Sequence, residues 1–95
     1  MKTKPPRLTI NESRQEVFVS GREVRLARKE YEILCELKNT GCTLSRETLL
    51  ETLWQSPTAH AINTRTVDQH IARMRRKIGR DFILTVPGYG YKFAA

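Results

Sequence analysis

The 95-residue chain has little cysteine, with only Cys35 and Cys42, and it lacks any long apolar run. Two thiols make no disulfide framework. A zinc site would have to combine Cys35, Cys42, His60 and His70, whose spacings match neither a Cys-x-x-Cys nor a His-x(3–5)-His pair. No metal is therefore expected, and the thiols are expected to be reduced and buried. No segment approaches the roughly 18 apolar residues of a membrane span, and the first residues lack the apolar stretch of a signal peptide. Cytoplasmic residence is the expectation. Also missing are a glycine-rich phosphate loop, a Ser/His/Asp arrangement and paired carboxylates, so neither an enzyme nor a cofactor is expected. The length suits one domain with one core.

What the chain does have is positive charge, unevenly placed. Seventeen Lys and Arg against ten Asp and Glu give a net charge of +7. Residues 1–20 carry four basic and two acidic groups, residues 21–64 six of each, and residues 65–95 seven against two, so +5 of the excess lies in the last third. Such a distribution favours a polyanionic partner at one face over a membrane surface.

The basic excess begins in a stretch with helical periodicity, Thr64 to Arg80. Val67, Ile71, Met74 and Ile78 fall on one stripe. Arg65, Gln69, Arg73, Arg76 and Arg80 fall about half a turn away. One side can be buried while the other presents guanidinium groups and an amide.

The remaining chain reads in order as a basic arm, a meander, two shorter helices and a hairpin. Residues 1–7, with Pro5-Pro6, form the expected flexible arm, and residues 8–95 the folded domain. Short alternating runs at Arg7–Ile10, Glu16–Ser20 and Arg22–Leu26 predict three antiparallel strands, with Leu8, Ile10, Val17, Val19, Val24 and Leu26 on the face needing cover. Arg28 to about Lys38 predicts a helix with Tyr31, Leu34 and Cys35 inward, joined by Ile33 and Leu37 if the apolar side is wider, a weak N-cap at Ala27 and a stop at Asn39-Thr40-Gly41. Cys42-Thr43-Leu44 is extended. Ser45 caps a helix from Arg46 to about Gln55, with Leu49, Leu50, Leu53 and Trp54 inward. Thr64 is expected to cap the long helix. Phe82–Val86 and Tyr91–Phe93 flank Pro87-Gly88-Tyr89-Gly90 as a closing hairpin.

Four stretches together resemble the DNA-binding domain of OmpR/PhoB-type response regulators of two-component systems. They are Gly21–Leu37 (GREVRLARKEYEILCEL), Leu44–Trp54 (LSRETLLETLW), Arg65–Gly79 (RTVDQHIARMRRKIG) and Thr85–Phe93 (TVPGYGYKF). The resemblance covers residues 8–93. It implies an α+β winged helix-turn-helix: a four-stranded N-terminal antiparallel sheet, three helices and a C-terminal β-hairpin wing. It implies a recognition helix (64–79) in the major groove of double-stranded DNA and a wing (82–93) near the minor groove. It further implies head-to-tail binding on direct-repeat half-sites, RNA polymerase contact through loop 55–63, and a nucleoid location when DNA is bound.

Carried over by position, Gln69 and Arg73 match base-reading residues. Arg65, Thr66, His70, Arg75, Arg76 and Thr85 match or flank phosphate-binding ones. Asp68 is expected to orient a neighbouring Arg or assist the helix start. In the wing, Pro87 stands where relatives often carry an Arg, leaving Tyr89 or Lys92 as substitutes, while Tyr91 is expected to pack. No acidic phosphoacceptor pocket is evident in the sequence. The alternative reading is a winged-helix protein-interaction module, an adaptor or inhibitor of RNA polymerase or of another regulator.

Overall fold

A computed structural model describes residues 7–54 and 63–94. Residues 1–6 of the expected arm (1–7) and all of loop 55–63 except Asn63 lie outside the described residues.

Alternation of apolar and polar residues produces the expected meander: β1 (Leu8–Asn11), β2 (Glu16–Val19) and β3 (Arg22–Val24). Leu8 faces Val19, Ile10 faces Val17, and Val17 faces Val24 across the ladders, so the apolar side chains share one face. Ser20 (φ 51°) and Gly21 (φ 83°) form the two-residue turn between β2 and β3. Among the described residues this sheet has three strands, not the four that the resemblance implied.

Helix α1 (Arg28–Thr40) turns Ile33, Leu34 and Leu37 into the core and ends at Gly41, whose N–H donates to the Leu37 carbonyl. Tyr31 and Cys35, expected inward, are only partly buried, and Cys42 is exposed. The expectation of buried thiols is corrected accordingly: Cys35 sits at the margin of the helix's buried face, and Cys42 follows the helix terminus. After the two-residue strand β4 (Leu44–Ser45), the Ser45 hydroxyl caps α2 (Arg46–Leu53) by accepting the Thr48 N–H at 3.0 Å. Helix α2 ends at Leu53, with Trp54 as its C-cap.

Helix α3 (Arg65–Ile78) leads into the hairpin of β5 (Ile83–Val86) and β6 (Gly90–Phe93). Strand β6 is central in the second sheet, bonded to β5 on one side and to β4 on the other. The wing is thus part of a three-stranded sheet rooted between α1 and α2. One core unites Leu8 and Val17 with α1, with Leu49 and Leu50 of α2, with the α3 stripe, and with Phe82, Ile83 and Tyr91.

Candidate nucleic-acid interface

Helix α3 divides as its sequence dictates. Val67, Ile71, Met74 and Ile78 are buried, whereas Arg65, Gln69, Arg73 and Arg76 are exposed. Ala72 is exposed among them and leaves that part of the surface low. Arg80 is exposed too, but it lies beyond the helix end at Gly79. The capping expectation needs correction. Thr64 is already helical (φ −58°, ψ −20°) and makes no side-chain cap bond; the Asn63 carboxamide oxygen instead accepts the Arg65 N–H at 3.0 Å. Asp68 in the first turn and Arg75, Arg76 and Lys77 in the last complement the helix dipole.

Asp68 is the junction between three elements. Its Oδ2 accepts from Arg46 Nη1 at 2.8 Å, at the start of α2, and its Oδ1 accepts from the Tyr91 hydroxyl at 2.7 Å, on β6. The expectation that Asp68 orients an arginine holds, and the arginine is Arg46. Tyr91 is packed as expected. Burial, then the Asp68 carboxylate, pushes the Tyr91 phenol up to about 12, so it remains a hydrogen-bond donor.

Arg75, expected among the phosphate-binding groups, has partners inside the domain as well. Its Nε and Nη2 donate to the Ile83 carbonyl at 3.2 and 2.7 Å, and Nη2 also donates to Thr85 Oγ1 at 2.8 Å. The guanidinium lies 5.6 Å from the Tyr91 ring centroid. A fork-shaped donor beside the free edge of β5 finds an unpaired carbonyl there, which fixes α3 to the wing. Arg75 and Thr85 are therefore partners of each other. His70 is likewise engaged internally: Nδ1 is 2.7 Å from the Thr66 carbonyl, and the ring meets Trp54 edge-on at 5.3 Å.

The rear of α3 is fixed by Glu30, a charged residue only 1% exposed. Its Oε1 accepts the Ala27 N–H at 3.0 Å and the Lys77 ammonium at 2.8 Å. Burial raises the carboxyl's pKa, but the two hydrogen bonds and the nearby ammonium outweigh it and hold Glu30 below its usual range. Glu30 also supplies the α1 cap that Ala27 cannot. Lys29 joins the same end of α1 to α2, bonding the Leu53 carbonyl and Glu32 and lying 5.2 Å from the Trp54 ring centroid.

At the wing tip, Pro87 and Gly88 (φ 72°) occupy the middle of a turn closed by the Tyr89 N–H donating to the Val86 carbonyl at 2.9 Å. A Pro followed by a positive-φ Gly is the signature of a type II turn. Tyr89 and Lys92 are exposed. Gly90 is obligatory for a different reason: a Cβ there would lie 2.0 Å from the Leu44 carbonyl oxygen on β4.

The structure thus collects Arg65, Gln69, Arg73 and Arg76 on one exposed face, with Thr66 partly buried at its start. Arg75, Thr85 and His70 also have partners inside the domain. Sequence reasoning missed Arg46, Glu30, Lys77 and Lys29 as the groups that hold this face in place. Of these only Glu30 carried a local signal, standing three residues after the α1 N-cap. Among the described residues no three His, Cys, Asp or Glu side chains are grouped to hold a metal, and no helix is long and apolar enough to cross a membrane.

Comparison with known proteins agrees with this geometry. The family model described as "Transcriptional regulatory protein, C terminal" matches residues 21–93. The transcriptional regulatory protein CseB of Streptomyces coelicolor is 42% identical over 89 residues, covering 93% of this chain and 37% of CseB. VxrB of Vibrio cholerae is 38% identical, covering 93% and 36%. The chain therefore spans little more than a third of the curated relatives it matches. Among solved structures, the response regulator DrrB, an OmpR/PhoB homolog of Thermotoga maritima, superposes with a TM-score of 0.80 at 38% identity, covering 93% of this chain and 42% of DrrB. The DNA-binding domain of RstA from Klebsiella pneumoniae, solved in complex with the RstA box, gives a TM-score of 0.78 at 32% identity, covering 92% and 90%.

Proposed function

This chain belongs to the family of transcriptional regulatory protein C-terminal domains, of the OmpR/PhoB winged-helix type, and from that premise we propose that it binds double-stranded DNA sequence-specifically to regulate transcription. The observation that carries this reading is the division of α3 into a buried apolar stripe and an exposed face of Arg65, Gln69, Arg73 and Arg76. That face enters the major groove. Gln69 pairs with adenine and Arg73 with guanine, each bidentate contact contributing about 1–3 kcal/mol of discrimination. Arg65, Thr66 and Arg76 hold phosphates. Arg75 and Thr85 act chiefly by positioning the wing near the minor groove. His70 has only Nε2 left for a phosphate contact, because Nδ1 is engaged with the Thr66 carbonyl.

In the fuller reading, two copies bind direct-repeat half-sites head to tail. Loop 55–63 meets RNA polymerase, and the protein acts in the cytoplasm, on the nucleoid, as the effector part of a two-component response regulator. Selection of bound duplexes from a random pool tests the core of this. A recovered motif repeated at about 10 bp supports tandem binding. With that motif in hand, Arg73→Ala lowers discrimination between cognate and scrambled duplexes. Equal loss on every sequence sinks the base-reading role. Failure of the wild-type chain to bind any duplex at low salt, with retention of RNA polymerase, replaces the proposal with the adaptor reading.

A further inference from the structure

Helix α1 has an apolar side wider than the core that covers it. Ile33, Leu34 and Leu37 are fully buried, whereas Tyr31 and Cys35, one turn apart, are only half-buried. Together with Leu53 at the end of α2 they floor an open cleft of about 620 Å³. The turn between β1 and β2 closes its third side. There Gln15 takes a left-handed conformation (φ 53°), uncommon for a residue other than glycine, and its N–H donates to the Glu12 carbonyl at 3.3 Å. The turn so formed holds Glu12 over the cleft. Glu12, Glu32 and Glu36 make the rim acidic, in a chain whose net charge is +7. Glu32 is bound to Lys29 and Arg28, but Glu12 and Glu36 have no ion-pair partner among the described residues. None of the lining residues belongs to α3 or the wing, so the cleft stays open when α3 is occupied.

We propose that this cleft docks a short basic segment of a partner protein, with a large apolar side chain on Tyr31, Cys35 and Leu53 and Lys or Arg on Glu12 and Glu36. The dimensions suit an extended chain. From Lys29 to Asn39 the helix rises about 15 Å at 1.5 Å per residue, the length of about four or five residues of β-strand. Charge selects the occupant. The carboxylates repel nucleic acid, and an uncharged apolar segment would leave Glu12 and Glu36 unpaired. The site goes beyond the DNA-binding reading and does not depend on it: the domain holds a protein on α1 while α3 holds a duplex.

The probe is a fluorescein-labelled pentapeptide, Lys-Leu-Lys-Phe-Lys, titrated by fluorescence anisotropy, with Glu-Leu-Glu-Phe-Glu as its counterpart and thermal unfolding of each variant as a control. Glu12→Gln and Glu36→Gln are each expected to weaken binding of the lysine peptide by about two- to fivefold. Glu36→Lys should weaken it by roughly tenfold or more. All three variants should keep wild-type discrimination on the selected duplex. The two thiols supply a second reading. Bound peptide should slow alkylation of Cys35, which lines the cleft, severalfold and leave that of exposed Cys42 unchanged. Burial pushes the Cys35 thiol up, so the alkylation is timed at mildly alkaline pH. No saturable binding of the lysine peptide, equal binding of the glutamate peptide, or unchanged alkylation of Cys35 overturns the assignment. So does protection of Cys35 by self-association of the chain alone, which would make the occupant a second copy. A wild-type chain that takes the peptide but binds no duplex overturns the proposed function and leaves this inference standing.

Discussion

The Tyr91 hydroxyl donates to Asp68 Oδ1 at 2.7 Å, and so links the wing strand β6 to the first turn of α3. Because Oδ2 of the same carboxylate holds Arg46, a single side chain sets α2, α3 and the wing in one arrangement. Tyr91→Phe preserves the packing and removes only this bond. The expected cost is about 0.5–1.5 kcal/mol, read as a lower midpoint in chemical denaturation with an unchanged m-value. An unaltered midpoint would show that the bond contributes nothing net.

The same phenol gives the domain an alkaline limit. The folded pKa of Tyr91 is raised from 10.0 to about 12. Its contribution is therefore complete below pH 10 and is lost as pH rises through about 12. In the Tyr91→Phe variant the stability difference from wild type should shrink across that interval. Denaturation curves at stepped pH check this.

Glu30 gives the opposite limit. Its folded pKa is lowered from 4.5, so the stabilisation is present above 4.5 and disappears as pH falls through the folded value. Glu30→Gln should flatten the acid limb of the stability profile. Lys77→Met leaves a carboxylate 1% exposed without its cation, at an expected cost of about 1–3 kcal/mol near neutral pH. That is less than for a fully buried pair, because Lys77 is itself 38% exposed and its charge partly screened by solvent. A flat comparison with wild type from neutral to acid pH would refute the coupling.

Arg75 separates positioning from phosphate binding. Arg75→Ala removes the donors to the Ile83 carbonyl and Thr85. It should lower thermal stability and weaken DNA binding on all sequences, with little change in salt slope. A slope reduced by about one unit at unchanged stability would return Arg75 to the phosphate-binding set.

Helix initiation offers a fourth comparison. Asn63→Ala should cost about 1 kcal/mol, since Asn63 caps the Arg65 N–H, whereas Thr64→Ala should cost little. Reversal of that order in thermal unfolding would contradict the cap assignment.

Much of the architecture was legible because it rests on periodicity. The stripe Val67, Ile71, Met74 and Ile78 defines the inner face of α3, and alternation in the first 26 residues defines three strands with their inward face. Turn chemistry at Ser20-Gly21 and Pro87-Gly88 was legible as well. What escaped is long-range pairing. Nothing local in Arg46 announces Asp68, 22 positions away, nor does Lys77 announce Glu30, 47 positions away. A helical wheel places Arg75 beside an exposed face but cannot show the unpaired carbonyl of Ile83 at a sheet edge. The cap at Asn63 was misassigned to Thr64 by one residue, because both side chains suit the position and only backbone geometry separates them.

The two-residue strand β4 has a mechanical consequence out of proportion to its length. With β4 held on one side of β6, the hairpin has no hinge at its root, and a Cβ at Gly90 would wedge β4 and β6 apart. The wing and α3 then act like the jaws of a fixed calliper. For a duplex docking as proposed, this bracing by β4 favours a fixed reach. The nucleic acid must supply the groove spacing or pay in bending, so stiffness of the intervening base steps becomes a selectable property even where no side chain touches a base.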